Sequence, residues 1–237
     1  TAAPKPMRAI LIDGIGGPEV LSLGEVAPPE PGAKQLLVRV HASAINRAAL
    51  LQCQGRYPAP PGVPEAIPGL EYAGEVIALG EGVTQWRCGD RVMGIVGGGA
   101  GAELVCVHED EALPVPAALS FEEAAAIPEA FLTAYDAACL QGKLEAGQCL
   151  GFNAAGSGVG TALIQIAAHI GAHTIGSSRT ESKLHAAAEL GLNHPVLGSS
   201  DALATAIKAS SAAQGADVIV DFVGGPALSA LIGAAAY

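Results

Sequence analysis

The sequence predicts an α/β protein in which a β-rich N-terminal domain is followed by a doubly wound parallel sheet. Up to residue 119 the chain consists of short apolar runs with strand periodicity, separated by turn residues. From Ser120 onward, strand-like and helix-like segments alternate, which is typical of a parallel sheet with crossover helices. Ser120 and Glu123 have the spacing of a capping box that starts a helix. We therefore expect two domains, over residues 7–119 and 120–237.

Short strands dominate the prediction for the first domain. They are expected at Met7–Leu11, Leu21–Val26, Leu36–Ala42, Gly74–Leu79, Arg91–Val96 and Glu103–His108. One or two helical turns are expected at Asn46–Gln52. The segment Tyr57–Pro68 holds five prolines and is expected to be irregular.

Four β-α units make up the prediction for the second domain, after an Ala-rich helix that starts at Ser120. The strands are expected at Gln148–Ala154, Ala172–Ser177, Pro195–Leu197 and Asp217–Val223. The helices that follow them are expected at Val159–Ile170, Glu181–Leu190, Asp201–Ala213 and Pro226–Ala236.

Charge and composition exclude several functions. The chain has 237 residues and a net charge of −11, and it contains no Lys- or Arg-rich run, so we expect no nucleic-acid or membrane partner. Its most apolar helical stretch, Gly160–Gly171, is too short to span a bilayer. Thr1–Pro6 does not resemble a secretory signal, and Met7 resembles a natural start. We expect a cytoplasmic protein whose five cysteines, lacking clustered spacing, are free thiols.

A glycine-rich turn links the first strand of the second domain to its helix. The turn, Ala155-Gly-Ser-Gly-Val-Gly160, fits G-x-G-x-x-G imperfectly, because Ala155 and Ser157 take the first two glycine positions and only Gly160 matches. Such a turn lets the backbone approach a pyrophosphate, which the free N–H groups of the helix start then bind. We expect Ala155, Ser157, Gly158, Val159 and Gly160 to bind a dinucleotide; close packing of strand and helix is the alternative explanation.

The end of the second strand indicates which dinucleotide. Sites for NAD usually have Asp or Glu there, to bind the ribose hydroxyls. This sequence has Ser178 and Arg179, with Lys183 one helical turn later. Hydroxyls and cations suit a 2′-phosphate, so the sequence favours NADPH over NADH. The alternative is that Arg179 and Lys183 are ordinary solvated residues at a helix start.

Several motifs together resemble a known family. They are Gly16-Gly-Pro-Glu-Val-Leu21, Asn46-Arg47, Gln54-Gly-Arg-Tyr57, Gly69-Leu-Glu71, Gly89-Asp-Arg-Val92, Ala126-Ile-Pro-Glu129, Leu132-Thr-Ala134, Ser157-Gly-Val-Gly160, Lys183-Leu184 and Asp221 with Gly224-Gly225. Over residues 7–232 the chain resembles the quinone oxidoreductases and their zeta-crystallin relatives in the medium-chain dehydrogenase/reductase superfamily. The best-matching subgroup is the apoptosis-linked quinone oxidoreductase and its bacterial counterparts. The resemblance implies a GroES-like N-terminal domain, a Rossmann domain and, for the full-length protein, a homodimer.

The resemblance also implies roles for single residues. Asn46 and Tyr57 would line the substrate cleft as hydrogen-bond donors, with Asn46 also near the cofactor. Thr133 would lie near the nicotinamide, and Ser157 near both pyrophosphate and substrate. The Val223-Gly224 backbone would lie close to the nicotinamide ribose. From the residues alone, Asn46 could equally be a turn residue, and Tyr57 a loop residue packed on prolines.

No zinc is expected. The zinc enzymes of this superfamily have a Cys ligand and a His ligand where this chain has Asn46-Arg47 and Gly69-Leu-Glu71, and a cysteine lobe that it lacks. A catalytic zinc needs three protein ligands of suitable type. Without a strong Lewis acid, the site suits an acceptor that is already electron-poor, such as a quinone or an enone.

Three functions follow as hypotheses. The first is an NADPH-dependent quinone reductase, acting by one- or two-electron transfer. The second is an alkenal or enone reductase on the same scaffold. The third is a truncated, non-catalytic chain that binds nucleotide weakly or acts through the exposed edge of its sheet. Members of the family continue well beyond residue 237, and we expect the Rossmann domain here to be incomplete.

Overall fold

A computed structural model of the protein describes residues 5–210, 215–225 and 228–236. Its contacts divide the chain into two units, one ending at Glu129 and the other beginning at Ala130. The domain boundary expected at Ser120 stays a prediction. The helix positions expected at 211–213 and 226–227, and residues 1–4 of the expected N-terminal extension, lie outside the described residues.

Antiparallel strands form the first unit. A two-stranded ribbon pairs β1 (Met7–Ile12) with β2 (Leu21–Val26). A five-stranded sheet has the order β6-β3-β4-β5-β7, where these are β3 (Gln35–Ala42), β4 (Glu71–Leu79), β5 (Arg91–Ile95), β6 (Leu104–His108) and β7 (Leu113–Pro114). Two short helices complete it, α1 (Arg47–Cys53) and α2 (Phe121–Ala125). The buried residues Leu36 and Val38 of β3 alternate with less buried ones, so one face of this strand packs into the hydrophobic core.

The capping box predicted from the sequence is present. Ser120 Oγ accepts a hydrogen bond from the Glu123 amide, and the Glu123 carboxylate accepts one from the Ser120 amide. The single Ala-rich helix expected there is instead two helices, because Pro128 lacks the N–H needed to continue the first one. The second, α3, spans Pro128–Tyr135 and continues as a π-helical turn at Asp136–Gln141.

A buried carboxylate joins two loops of the first unit. The Glu109 side chain, only 3% exposed, accepts hydrogen bonds from Lys34 Nζ at 2.7 Å and from the Thr84 and Gln85 amides at 2.8 and 3.0 Å. The Lys34 ammonium, followed by these amides, lowers the pKa of the Glu109 carboxyl to about 2. The only tryptophan, Trp86, donates its indole N–H to the Glu109 carbonyl at 2.8 Å.

Glu109 is expected to make the first unit sensitive to acid. A carboxyl whose pKa is lower in the folded state stabilises that state above its ordinary pKa of 4.5, and the contribution is lost as the pH falls toward 2. Glu109→Gln should therefore lower the midpoint of urea unfolding at pH 7, and its stability should fall less steeply between pH 4.5 and 2. Trp86 fluorescence measures both. Parallel curves for the variant and the wild type would contradict the assignment.

The second unit is built on a parallel sheet in the order β10-β9-β8-β11. Its strands are β8 (Cys149–Phe152), β9 (His173–Ser178), β10 (His194–Leu197) and β11 (Val218–Val220). The helices are α4 (Gly158–Ile170), α5 (Glu181–Glu189), α6 (Ser200–Ser210) and α7 (Leu228–Ile232). The chain runs from the central strand β8 outward through β9 and β10, then crosses back to β11. This order creates a switch point between β8 and β11.

Helices cover both faces of this sheet. On one face, Leu150 and Phe152 of β8 are buried with Leu163 of α4. On the other, Ile175 is buried with Leu203 and Ile207 of α6. The predicted doubly wound α/β architecture is therefore confirmed.

All five cysteines are free thiols. Cys53 is buried and Cys88 is exposed, while the other three are partly buried. Burial raises the pKa of Cys106, Cys139 and Cys149, because an apolar environment disfavours the thiolate.

Candidate functional site

The turn between β8 and α4 presents free amide groups. Ser157 is the N-cap of α4, and its Oγ accepts a hydrogen bond from the Gly160 amide at 3.0 Å. The Ser157 amide itself donates to the Ala154 carbonyl. Within the described parts of the chain, the amides of Gly156, Gly158 and Val159 have no hydrogen-bond acceptor. These N–H groups, together with the positive end of the helix dipole, form a site suited to an anion.

Backbone strain is present at the entrance to this turn. Ala154 has φ of +53°, in the left-handed region that a side chain disfavours. Ala154→Gly is expected to stabilise the second unit by about 0.5–1 kcal/mol, because relief of the strain exceeds the extra entropy of an unfolded glycine. Urea unfolding followed by circular dichroism measures this. A less stable variant would show that the Ala154 methyl group contributes more through packing than its conformation costs.

A cleft of about 540 Å³ lies along the carboxyl ends of the strands of the second unit. Five segments line it. They are Asn153–Ser157 without Ala155, Ser177–Thr180, Lys183, Gly198–Asp201, and Val223 with Gly224. The carboxyl edge of a parallel sheet is where α/β proteins bind nucleotides.

Two exposed cations lie at one side of this cleft. Among the residues that the structure describes, neither Arg179 nor Lys183 forms an ion pair. The Lys183 side chain covers Gly156, where an added Cβ would lie 2.6 Å from Lys183 Cβ. Ser178 Oγ accepts a hydrogen bond from the Thr180 amide at 3.2 Å and so fixes the turn that carries Arg179. Thr180 precedes α5 as expected, but its side chain makes no capping hydrogen bond.

The structure brings most of the predicted cofactor residues of the second unit together. Ser157, Ser178, Arg179, Lys183, Val223 and Gly224 all line the cleft. Gly158, Val159 and Gly160 form the first turn of α4, adjoining it. Ala155 is fully buried in the core, with its amide bonded to the Ser177 carbonyl. Thr133 lies on α3 and is not among the residues that line the cleft.

Asn46 and Tyr57 lie in the first unit. Asn46 precedes α1 but does not cap it with its side chain; instead its Nδ2 donates to Glu71 Oε1 at 2.6 Å. Glu71 is buried, and its Oε2 accepts a hydrogen bond from the Glu129 amide at 2.8 Å. Burial, and then the Glu71 charge, raises the pKa of the Glu129 carboxyl. Asn46 is therefore held by a buried side chain, whereas Tyr57 is 42% exposed.

Several residues that line the cleft did not emerge from the sequence. Asn153 follows β8 directly, while Gly198 and Ser199 connect β10 to α6 and Ser200 and Asp201 begin that helix. The signal that could have found Asn153 is a polar residue at the carboxyl end of an apolar strand. The β10–α6 connection gave no such signal, because serines and glycines are ordinary in loops.

No metal or membrane feature is found in residues 5–210, 215–225 and 228–236. They contain no group of three or more His, Cys, Asp or Glu side chains placed to hold a metal ion. The described helices include none with the length and apolar character needed to cross a membrane.

The sheet order, the glycine-rich turn and the cleft define the class of protein: one with a dinucleotide-binding α/β domain of the Rossmann type. The profile of the family described as "Alcohol dehydrogenase GroES-like domain" matches residues 32–117. The profile of the family described as "Zinc-binding dehydrogenase" matches residues 158–237. Both domain types expected from the sequence are thus confirmed.

The chain is 33% identical to the quinone oxidoreductase of Rattus norvegicus, over 95% of this chain and 69% of that protein. It is 36% identical to the "Synaptic vesicle membrane protein VAT-1 homolog" of Homo sapiens, over 92% of this chain and 56% of that protein. Among solved structures, a quinone oxidoreductase of Pseudomonas syringae pv. Tomato DC3000 matches with a TM-score of 0.87 at 30% identity, over 97% of this chain and 70% of that one. The chain belongs to the quinone oxidoreductase (zeta-crystallin-like) family of medium-chain dehydrogenases/reductases. It spans a little over half of the human relative's length.

Proposed function

We propose that the protein is an NADPH-dependent reductase of quinones that works without zinc. The observation that carries the proposal is the cleft of the second unit, which is lined by the free amide of Gly156 and by two cations without an ion-pair partner in the described chain, and which adjoins the free amides of Gly158 and Val159. Dinucleotides carry negative charge at the pyrophosphate and, in NADPH, at the 2′-phosphate. The cleft offers a group of matching chemistry for each.

The turn before α4 fits the pyrophosphate. Its free amides at Gly156, Gly158 and Val159 can donate hydrogen bonds to phosphate oxygens without breaking any bond within the described protein. The lack of a side chain at Gly156 leaves room for Lys183, whose side chain packs over this residue. Ser157 uses its hydroxyl oxygen to fix the turn, and its O–H remains available to donate to a phosphate.

The 2′-phosphate fits the side of the cleft that carries Arg179 and Lys183. A planar guanidinium and an ammonium are the usual partners of phosphate in proteins. Ser178 is a third donor at the end of β9. An NADH site would need a carboxylate at this strand end, and β9 ends in Ser177 and Ser178. We therefore propose that NADPH is preferred.

The reduction itself draws on the hydride of the bound cofactor. The contribution proposed for the protein is to bind and orient the reactants and to stabilise negative charge on the acceptor oxygen. From the family resemblance, Asn46 and Tyr57 are the proposed donors to that oxygen, and Thr133 lies near the nicotinamide. The Asn46 amide keeps one N–H beyond the one that it donates to Glu71, and Glu71 fixes its orientation. A proposed donor of this kind stabilises an oxyanion without a metal.

A titration with both cofactors tests the proposal. NADPH should raise the melting temperature more than NADH does, and NADPH should be oxidised when an ortho-quinone is added. If neither cofactor stabilises the protein, the third hypothesis, a non-catalytic chain, replaces the proposal for these 237 residues.

A second candidate activity is the reduction of alkenals or enones. A solved enoyl reductase, CurK, matches with a TM-score of 0.88 at 25% identity, over 98% of this chain. The two activities differ in their products. An ortho-quinone reduced by single electrons gives oxygen uptake through redox cycling, whereas an enone consumes NADPH without oxygen uptake. The homodimer and the cytoplasmic location implied by the sequence stay predictions.

A further inference from the structure

Asn153 lies at the centre of a buried hydrogen-bond network beneath the cleft. It follows β8, and only 2% of its surface is exposed. Phe152 of β8 pairs with Val220 of β11, so Asn153 and Asp221 are neighbours one residue beyond the last strand pair. Their side chains meet: Asn153 Nδ2 donates to Asp221 Oδ1.

The same carboxamide binds two further groups. Its Nδ2 also donates to Ser200 Oγ at 3.1 Å, at the start of α6. Its Oδ1 accepts a hydrogen bond from the Phe222 amide at 2.8 Å. One side chain thus uses both its donor and its acceptor groups, and it connects residues 47 and 69 positions away in the sequence.

Asp221 links this hydrogen-bond network to the cofactor cleft. Its Oδ1 accepts hydrogen bonds from the Val223 amide at 2.9 Å and the Gly224 amide at 3.0 Å. Burial of Asp221 opposes its ionisation, but these amides and Asn153 outweigh that effect and lower the pKa of its carboxyl. The turn that presents Val223 and Gly224 to the cleft is therefore held by a carboxylate, which Asn153 holds in turn.

We propose that Asn153 is a positioning residue that sets the spacing of two segments lining the cofactor cleft, the start of α6 at Ser200–Asp201 and the turn at Val223–Gly224. The inference rests on the proposed function, because it assigns to this network the preorganisation of the cleft for NADPH. Segments that are already fixed before binding need no ordering when NADPH arrives, and this raises the affinity of the cleft for NADPH. Removing the network should therefore weaken cofactor binding more than it weakens the fold.

A charge exchange tests this placement. Asn153→Asp puts a second carboxylate beside Asp221 and removes the donor, so the turn that Asp221 holds is pushed away from the end of β8. The double variant Asn153→Asp with Asp221→Asn moves the charge across the pair and restores the hydrogen bond between the two side chains. The carboxylate introduced at position 153 can accept from the Phe222 amide and from the carboxamide introduced at position 221. That carboxamide then has its nitrogen in the place of Oδ1, and its oxygen, in the place of Oδ2, keeps the hydrogen bond from the Gly224 amide.

The measurement is the Kd of NADPH, with the melting temperature and the circular dichroism spectrum as checks on folding. We expect the Kd to rise at least roughly tenfold for Asn153→Asp, the cost of about one broken charge-assisted bond, and to fall part of the way back in the double variant. Equal affinity of all three proteins would overturn the inference, as would a double variant that binds no better than the single one.

Asn153→Ser is a second test variant, which serves if the charged variant misfolds. Serine is too short to reach Ser200 and Asp221 together, and it adds no charge. We expect weaker NADPH binding with the fold retained. If both single variants unfold, the network holds the domain rather than the cleft, and the inference is wrong. If the wild type itself binds neither NADPH nor NADH, the proposed function is wrong, whatever the variants show.

Discussion

The double variant Arg179→Ala with Lys183→Ala is expected to bind NADPH roughly 30- to 150-fold more weakly than the wild type, a loss of about 2–3 kcal/mol from two charge-assisted contacts to a phosphate. Both side chains are exposed at the cleft and form no ion pair in the described part of the chain, so their removal leaves no buried charge unpaired. The affinity for NADH should change less than about twofold, because NADH lacks the 2′-phosphate. Titration of cofactor fluorescence measures both constants.

Lys208→Ala is the matched control for charge. Lys208 also lies on a helix of the second unit, in the last turn of α6, and does not line the cleft. Its removal should leave both affinities unchanged. An equal loss of NADPH affinity in the control would show that net charge, rather than a local contact, governs binding. Equal losses for NADPH and NADH in the double variant would contradict the assigned 2′-phosphate site.

Gly160→Ala is expected to be the most damaging single substitution in the turn. An added Cβ would lie 2.5 Å from the Ala154 carbonyl oxygen and 2.8 Å from that of Ala155. These are backbone atoms, so α4 must move away from β8, and the hydrogen bond from Gly160 to Ser157 is lost. We expect a destabilisation of about 2–3 kcal/mol, the usual cost of overpacking. NADPH affinity should fall on the order of tenfold or more, because the free amides are displaced.

Gly158→Ala controls for the loss of glycine in the same helical turn. At Gly158 an added Cβ meets only Ala130 Cβ at 3.7 Å, an ordinary contact. The stability of the Gly158→Ala variant should match or slightly exceed that of the wild type, because alanine favours a helix more than glycine does. Urea unfolding by circular dichroism compares the two variants. Similar losses of stability in both variants would show that this turn requires the backbone freedom of glycine rather than the close approach of α4 to β8.

Strand ends show why the sequence alone predicted the elements but not their limits. The strand expected over Asp217–Val223 is only Val218–Val220, because the Asp221 side chain takes the amides that would continue the ladder. The strand expected over Gln148–Ala154 stops at Phe152, shortly before Ala154 adopts positive φ. In both cases local side-chain or backbone chemistry outweighs the apolar pattern.

The cleft was predictable where it is local in sequence. The turn from Ala155 to Gly160 and the residues after β9 carry recognisable patterns within a few positions. Asn153 and Ser200 do not, because their association with Asp221 depends on which strands are neighbours in the sheet. The hydrogen bond between Asn46 and Glu71 was missed for the same reason, since it joins residues 25 positions apart.

Because the cysteines differ in burial, thiol reagents are expected to react selectively with one of them. At neutral pH the buried or half-buried thiols with raised pKa values stay protonated and shielded, whereas Cys88 is open to solvent. A maleimide dye added in slight excess should therefore attach at a single place in the native protein, on the turn before β5. Mass spectrometry after short exposure would find one adduct, and Cys88→Ser would abolish it. The protein therefore carries a built-in attachment point for single-molecule or surface measurements of cofactor binding.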